Sequence, residues 1–125
     1  MELNKYQAEA QSTAIYPGRG TPAGLFYSTL KLTGEAGEVS EKLGKLVRDN
    51  GMVLRNTDTG RYEIYNDMTP PSREGMAKEL GDVLWYVSAV ANDLGYTLEG
   101  IAQMNLDKLA DRAARGKLQG SGDNR

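Results

Sequence analysis

The sequence predicts an all-α fold, a helical bundle of four main helices with a small β-hairpin insertion. Two observations carry that expectation. Apolar residues recur at spacings of three, four and seven along most of the 125 residues, which is the period of one helix face. A β-prone pattern appears only between Asn50 and Ser72, flanking a turn-rich stretch.

The first helix is expected from Leu3 to about Ile15, with Leu3, Tyr6, Ala10 and Ala14 on one side, and Pro17-Gly18 stops it. The second is expected from Gly24 to about Asp49, carrying Leu25, Leu32, Val39, Leu43, Leu46 and Val47. Met52-Val53-Leu54 and Tyr62-Glu63-Ile64-Tyr65 then bracket Asn56-Thr57-Asp58-Thr59-Gly60 as a small hairpin. The third helix is expected to start at an N-cap Ser72, with Glu74 suiting the helix dipole, and to run to about Leu94, where Gly95 closes it. Thr97 is an N-cap for a fourth helix bearing Leu98, Ile101, Met104, Leu106, Leu109 and Ala113, which Gly116 ends. One domain, residues 1–116 with the insertion at about 50–72, and a disordered tail, 117–125, complete the expected organisation.

Composition narrows the chemistry. Fifteen basic and 17 acidic side chains give a net charge of -2, which offers no positive excess for a polymeric nucleic acid. There is no cysteine and no histidine, so disulfides, thiolate or imidazole zinc sites and the Ser/His/Asp triad are excluded. Acid–base or metal chemistry must come from carboxylates, lysines and tyrosines. The first residues lack the apolar core of a signal peptide and no apolar run reaches the roughly 20 residues that span a bilayer, so a cytoplasmic protein with no membrane partner is expected.

Two acidic pairs with the same spacing, Glu35/Glu38 and Glu79/Asp82, fall inside the second and third helices. Residues i and i+3 are neighbours about 4.5 Å apart along a helix axis, so each pair points two carboxylates the same way. One such pair alone is commonly a solvated face. Two helices facing one another would instead gather four acids, which a hard divalent cation such as Mg²⁺ or Mn²⁺ neutralises through oxygen ligands. Gly34, Gly37 and Gly81 lie beside these acids at a cost of about 1 kcal/mol each against alanine, which favours a need for close backbone approach or open space there.

Gly34-Glu35-Ala36-Gly37-Glu38-Val39 with Glu41-Lys42, then Lys78-Glu79-Leu80-Gly81-Asp82-Val83-Leu84-Trp85-Tyr86, and finally Asn105-Leu106-Asp107-Lys108-Leu109 with Arg112, resemble the MazG-like nucleotide pyrophosphohydrolases. The resemblance covers most of Tyr6 to Arg112. It departs at residues 50–72, a longer interval than many relatives have, which puts the form of the nucleoside pocket in question. It implies an all-α NTP pyrophosphatase fold and cleavage of a nucleoside triphosphate between the α and β phosphates, giving a monophosphate and pyrophosphate. It also implies Mg²⁺ held by Glu35, Glu38, Glu79 and Asp82, with Glu38 or Glu35 serving the attacking water, and a homodimer or homotetramer. Asn105, Lys108 and Arg112, on one face of the last helix, are implied as substrate contacts; the other reading of the two cations is an exposed basic stripe pairing with Asp107 or Asp111. The small single domain also looks like phage-encoded members.

Around this core stand further candidates. Lys42 and Lys45 follow Glu38 by four and seven residues and either reach phosphates or solvate the helix. Tyr86, four residues after Asp82, shares the carboxylate face; Trp85 and Tyr27 either stack on a base or pack in the core. Gln7 and Gln11 are one turn apart, as base-edge readers or exposed side chains. The substrates expected are deoxypurine triphosphates such as dGTP. The rival readings are a non-catalytic acidic module docking a basic partner, and a di-iron carboxylate bundle, which the lack of Glu-x-x-His disfavours.

Overall fold

A computed structural model describes residues 1–123; Asn124 and Arg125, the end of the expected tail, lie outside the described residues. Its elements are α1 (Leu3–Gln11), a 3₁₀ turn (Pro22–Gly24), α2 (Leu25–Asn50), β1 (Val53–Asn56), β2 (Tyr62–Tyr65), α3 (Pro70–Asp93) and α4 (Leu98–Ala114). The all-α expectation holds, with the hairpin as its one sheet among the described residues. No described helix is long and apolar enough to cross a membrane. The chain divides into two compact units, one of residues 1–25 and 88–123, the other of residues 26–87.

In the first unit, α1 is held by polar side chains. Buried Gln7 accepts the Leu98 N–H at 2.8 Å and donates to the carbonyls of Tyr96 at 3.1 Å and Ser88 at 3.4 Å. Asn4 exchanges hydrogen bonds with Glu99 on α4 at 2.8 and 3.1 Å. Helix α1 is shorter than its apolar spacing implied, because Ser12 and Thr13 hydroxyls donate to the carbonyls of Glu9 and Ala10 at 2.6 Å each and so satisfy the last turn locally. The loop that follows is anchored by Asp93, which is 2% exposed and accepts from the Tyr16 hydroxyl at 2.9 and 3.0 Å and from the Gly20 N–H at 2.6 Å. Gly24 must be glycine for this packing, since a Cβ there would sit 2.7 Å from Asp93 Oδ2. Ala89, Ala91 and Leu98 supply the apolar filling.

In the second unit, α2 and the first part of α3 run antiparallel, facing each other through Tyr27–Tyr86 and Lys42–Glu79. The start of α3 corrects one expectation. Thr69, not Ser72, caps the helix: its carbonyl accepts Arg73 N–H at 2.9 Å and its hydroxyl accepts Ser72 N–H at 3.3 Å. Pro70 and Pro71 occupy the first turn, where a missing N–H costs nothing. The hairpin pairs Val53 with Tyr65 through Asn56 with Tyr62, and every strand residue is exposed. Of the described residues in this unit only Ser28 and Met52 are buried.

Candidate metal centre

Helices α2 and α3 bring three of the four expected acids together. Glu35, Glu79 and Asp82 each offer a carboxylate oxygen, all within 4.8 Å of one another. Glu35 and Glu79 are half-buried and Asp82 is exposed. Glu38 lies one turn beyond Glu35, exposed and outside this trio, beside Glu41. Glu41 itself is held below the usual carboxylate range, first by its hydrogen bond from Lys45 and then by that lysine's charge.

Two lysines offset the gathered negative charge. Lys31 Nζ stands 3.4 Å from Glu35, an i,i+4 pair along α2, and Lys42 Nζ stands 3.1 Å from Glu79 across the two helices. Lys42, expected near phosphate or solvent, thus reaches the acidic cluster, whereas Lys45 is turned to Glu41 at 3.0 Å. Periodicity and motif point past Lys31, although its i,i+4 spacing to Glu35 is a readable signal.

Glu35 and Asp82 line a cavity of about 370 Å³ with Trp85 and Tyr86. The Tyr86 ring meets Trp85 edge-on at 4.8 Å and lies 6.4 Å from Tyr27, with Lys31 over it at 5.8 Å. Burial pushes the Tyr86 hydroxyl up to about 12, aided by Tyr27 and by the charges of Glu35 and Asp82. The hydroxyl is hydrogen-bonded with Tyr27 and, like any phenol, is neutral at physiological pH. A Cβ built on Gly34, Gly37 or Gly81 meets nothing within 4 Å, so of the two reasons offered for these glycines, open space is the one the structure shows.

The donor set fits a hard divalent cation: three carboxylates, all oxygen, on two rigid helices. The remaining candidates fall in the first unit. Asn105 is exposed; Lys108 and Arg112 on α4 both contact Asp123, at 3.1 and 3.3 Å. Gln11 donates to Ser88 Oγ at 2.7 Å, and its buried Oε1 has no partner. Gln11 lines a cavity of about 540 Å³ with Asn92 and Tyr96. Gln7 is already committed through both ends of its amide to the backbone.

Residues 27–116 match the MazG nucleotide pyrophosphohydrolase domain, a stretch containing all the acids of the cluster. The Gene 37 protein of Mycobacterium phage L5 is 43% identical over 128 residues, covering 100% of both chains. The crystal structure of iMazG from Vibrio DAT 722 aligns with a TM-score of 0.54 and 26% identity, covering 91% of this chain and 97% of that one. Family, fold and acidic cluster agree, and the chain belongs to the MazG nucleotide pyrophosphohydrolase family.

Proposed function

We propose that the chain is a Mg²⁺-dependent nucleoside triphosphate diphosphatase that adds water to the α-phosphorus, breaks the bond from Pα to the bridging oxygen and releases a nucleoside monophosphate and pyrophosphate. The observation that carries this reading is the convergence of Glu35, Glu79 and Asp82 within 4.8 Å inside a MazG domain. These three would hold the cation, and Glu38, one turn along α2 from Glu35, is the fourth ligand we propose. Mg²⁺ bound there supplies charge neutralisation at the phosphate oxygens and acidification of water, with Mn²⁺ a workable substitute.

The chain's own residues supply the rest. Glu38 is our assignment for the carboxylate that orients the attacking water and takes its proton, with Glu35 the alternative. Tyr86, kept neutral, donates to substrate oxygen, and Trp85 lends a face for the base. Lys108 and Arg112, with Asn105, are the candidate partners of the anionic tail, and Lys42 and Lys45 are secondary ones. Gln11, with its unpartnered amide oxygen, is the candidate base reader. Our preferred substrates are deoxypurine triphosphates.

A homodimer or homotetramer accords with the second unit, where Leu43, Val47, Leu80 and Leu84 remain 40%, 53%, 54% and 40% exposed. The phage relative supports action in the cytoplasm of an infected host. The test is to incubate the protein with Mg²⁺ and each of the eight common (d)NTPs and to separate the products. Monophosphate with pyrophosphate supports the proposal. Diphosphate with orthophosphate, or turnover that survives EDTA, refutes it, and binding of a basic protein without turnover would favour a docking module.

A further inference from the structure

Helix α4 ends in a tight reversal. Gly116, at φ +65°, donates to the Ala113 carbonyl at 3.1 Å, and Lys117 donates to the Arg112 carbonyl at 2.7 Å. The left-handed residue turns the chain back along the helix it has just left. As a result the Gly122 carbonyl accepts from Arg112 Nη2 at 3.1 Å, and Asp123 Oδ1 accepts from Lys108 Nζ at 3.1 Å and from Arg112 Nη2 at 3.3 Å. One carboxylate sits on both cations of α4.

The two sides of this contact are unequal. The Arg112 side chain is 5% exposed and its buried Nε has no hydrogen-bond partner, so it is a fixed, desolvated cation. Asp123 is 81% exposed and comes from a short irregular segment. Other acids on α4 do not compete for the pair: Asp107 accepts from Gln103 at 2.8 Å and Asp111 from Arg115 at 2.9 Å. The hydrogen bond from Lys108 and then its charge, followed by Arg112, hold the Asp123 carboxyl below its usual range.

We propose that Asp123 is an internal plug: its carboxylate occupies the anion position formed by Lys108 and Arg112, and a phosphate group of the nucleotide displaces it on binding. The inference rests on the assignment of those two cations to the anionic tail made under Proposed function. Carboxylate and phosphate oxygens are equivalent acceptors for ammonium and guanidinium groups, so the two compete for the same donors. The Lys108–Asp123 pair is exposed on both sides, at 41% and 81%, and such a pair is weak, which makes the plug displaceable and limits its effect to about two- to fivefold in affinity.

The experiment compares the full chain with Asp123→Asn, Lys108→Gln and the double variant. Calorimetric titration with inorganic tripolyphosphate, without divalent metal, reads the anion site apart from turnover. Steady-state kinetics with Mg²⁺ and a dNTP read KM and kcat. Asp123→Asn is expected to bind tripolyphosphate about two- to fivefold more tightly at low salt and to lower KM by the same factor with kcat unchanged. The difference should vanish in high salt and shrink in the Lys108→Gln background. Equal affinity of the full chain and Asp123→Asn overturns the plug; a KM that still rises on Lys108→Gln would then leave the anion site standing. Tripolyphosphate binding unaffected by Lys108→Gln overturns both.

Discussion

Asp82→Asn separates a metal-binding cluster from a merely acidic surface. Asp82 is the member of the trio with no ion pair among the described residues, because Lys31 serves Glu35 and Lys42 serves Glu79. Neutralising it removes two like-charge contacts of up to 4.8 Å and breaks no salt bridge. Each contact costs about 0.9 kcal/mol in a water-like dielectric and about 3.5 kcal/mol at an effective constant of 20. Asp82 is exposed and the lysines cancel part of the field, so the lower figure governs, and a net gain of about 1 kcal/mol is expected without metal. For a chain of this size that raises Tm by about 4 °C. Saturating Mg²⁺ reverses the order, since the cation stabilises the wild type through binding while the variant has lost a charged ligand. Thermal melts followed by circular dichroism in EDTA and in rising Mg²⁺ read both effects. A variant that melts below wild type in EDTA, or that gains as much from Mg²⁺, refutes the reasoning.

The remaining predictions concern single side chains. Glu38→Gln should reduce kcat by at least about 100-fold with the helical circular dichroism unchanged, as loss of a general base does; near-normal turnover removes Glu38 from the site. Gln7→Leu should cost about 2 kcal/mol in denaturant melts, since it strands the buried Leu98 N–H and two carbonyls, and should leave the ranking of substrates unaltered. The Tyr86 hydroxyl should ionise near 12, visible as the difference between ultraviolet titrations of wild type and Tyr86→Phe. Because its folded value is raised, the stability it contributes is complete below the ordinary value of 10 and lost between 10 and about 12; a difference curve centred at 10 would contradict the burial argument.

The helices were legible because a 3.6-residue period is a one-dimensional signal, and Thr97 and Gly116 stand where caps must. The same period overran α1, since it says nothing of hydroxyls that satisfy the last carbonyls from Ser12 and Thr13. Pro70-Pro71 reads as the end of the insertion, although prolines suit a first helical turn, and that reading sets the cap at Ser72, three residues beyond Thr69. Spacing put Glu35 and Glu38 on one face, but it carries no rotamer, and only Glu35 reaches the α3 acids. Gln7 and Gln11 looked alike in sequence. Tertiary contacts divide them, committing Gln7 to the backbone while one end of Gln11 is left unpaired. Asp93, before a helix-ending Leu-Gly, gave no hint that it anchors a loop more than 70 residues away in sequence.

Crystals grown with Mn²⁺, with data collected at the manganese absorption edge, test the central claim most directly. The account predicts an anomalous peak within ligand distance, about 2.2 Å, of oxygens from Glu35, Glu79 and Asp82, lost in Asp82→Asn. A metal bound elsewhere on the chain, with those carboxylates left to Lys31 and Lys42, would contradict it.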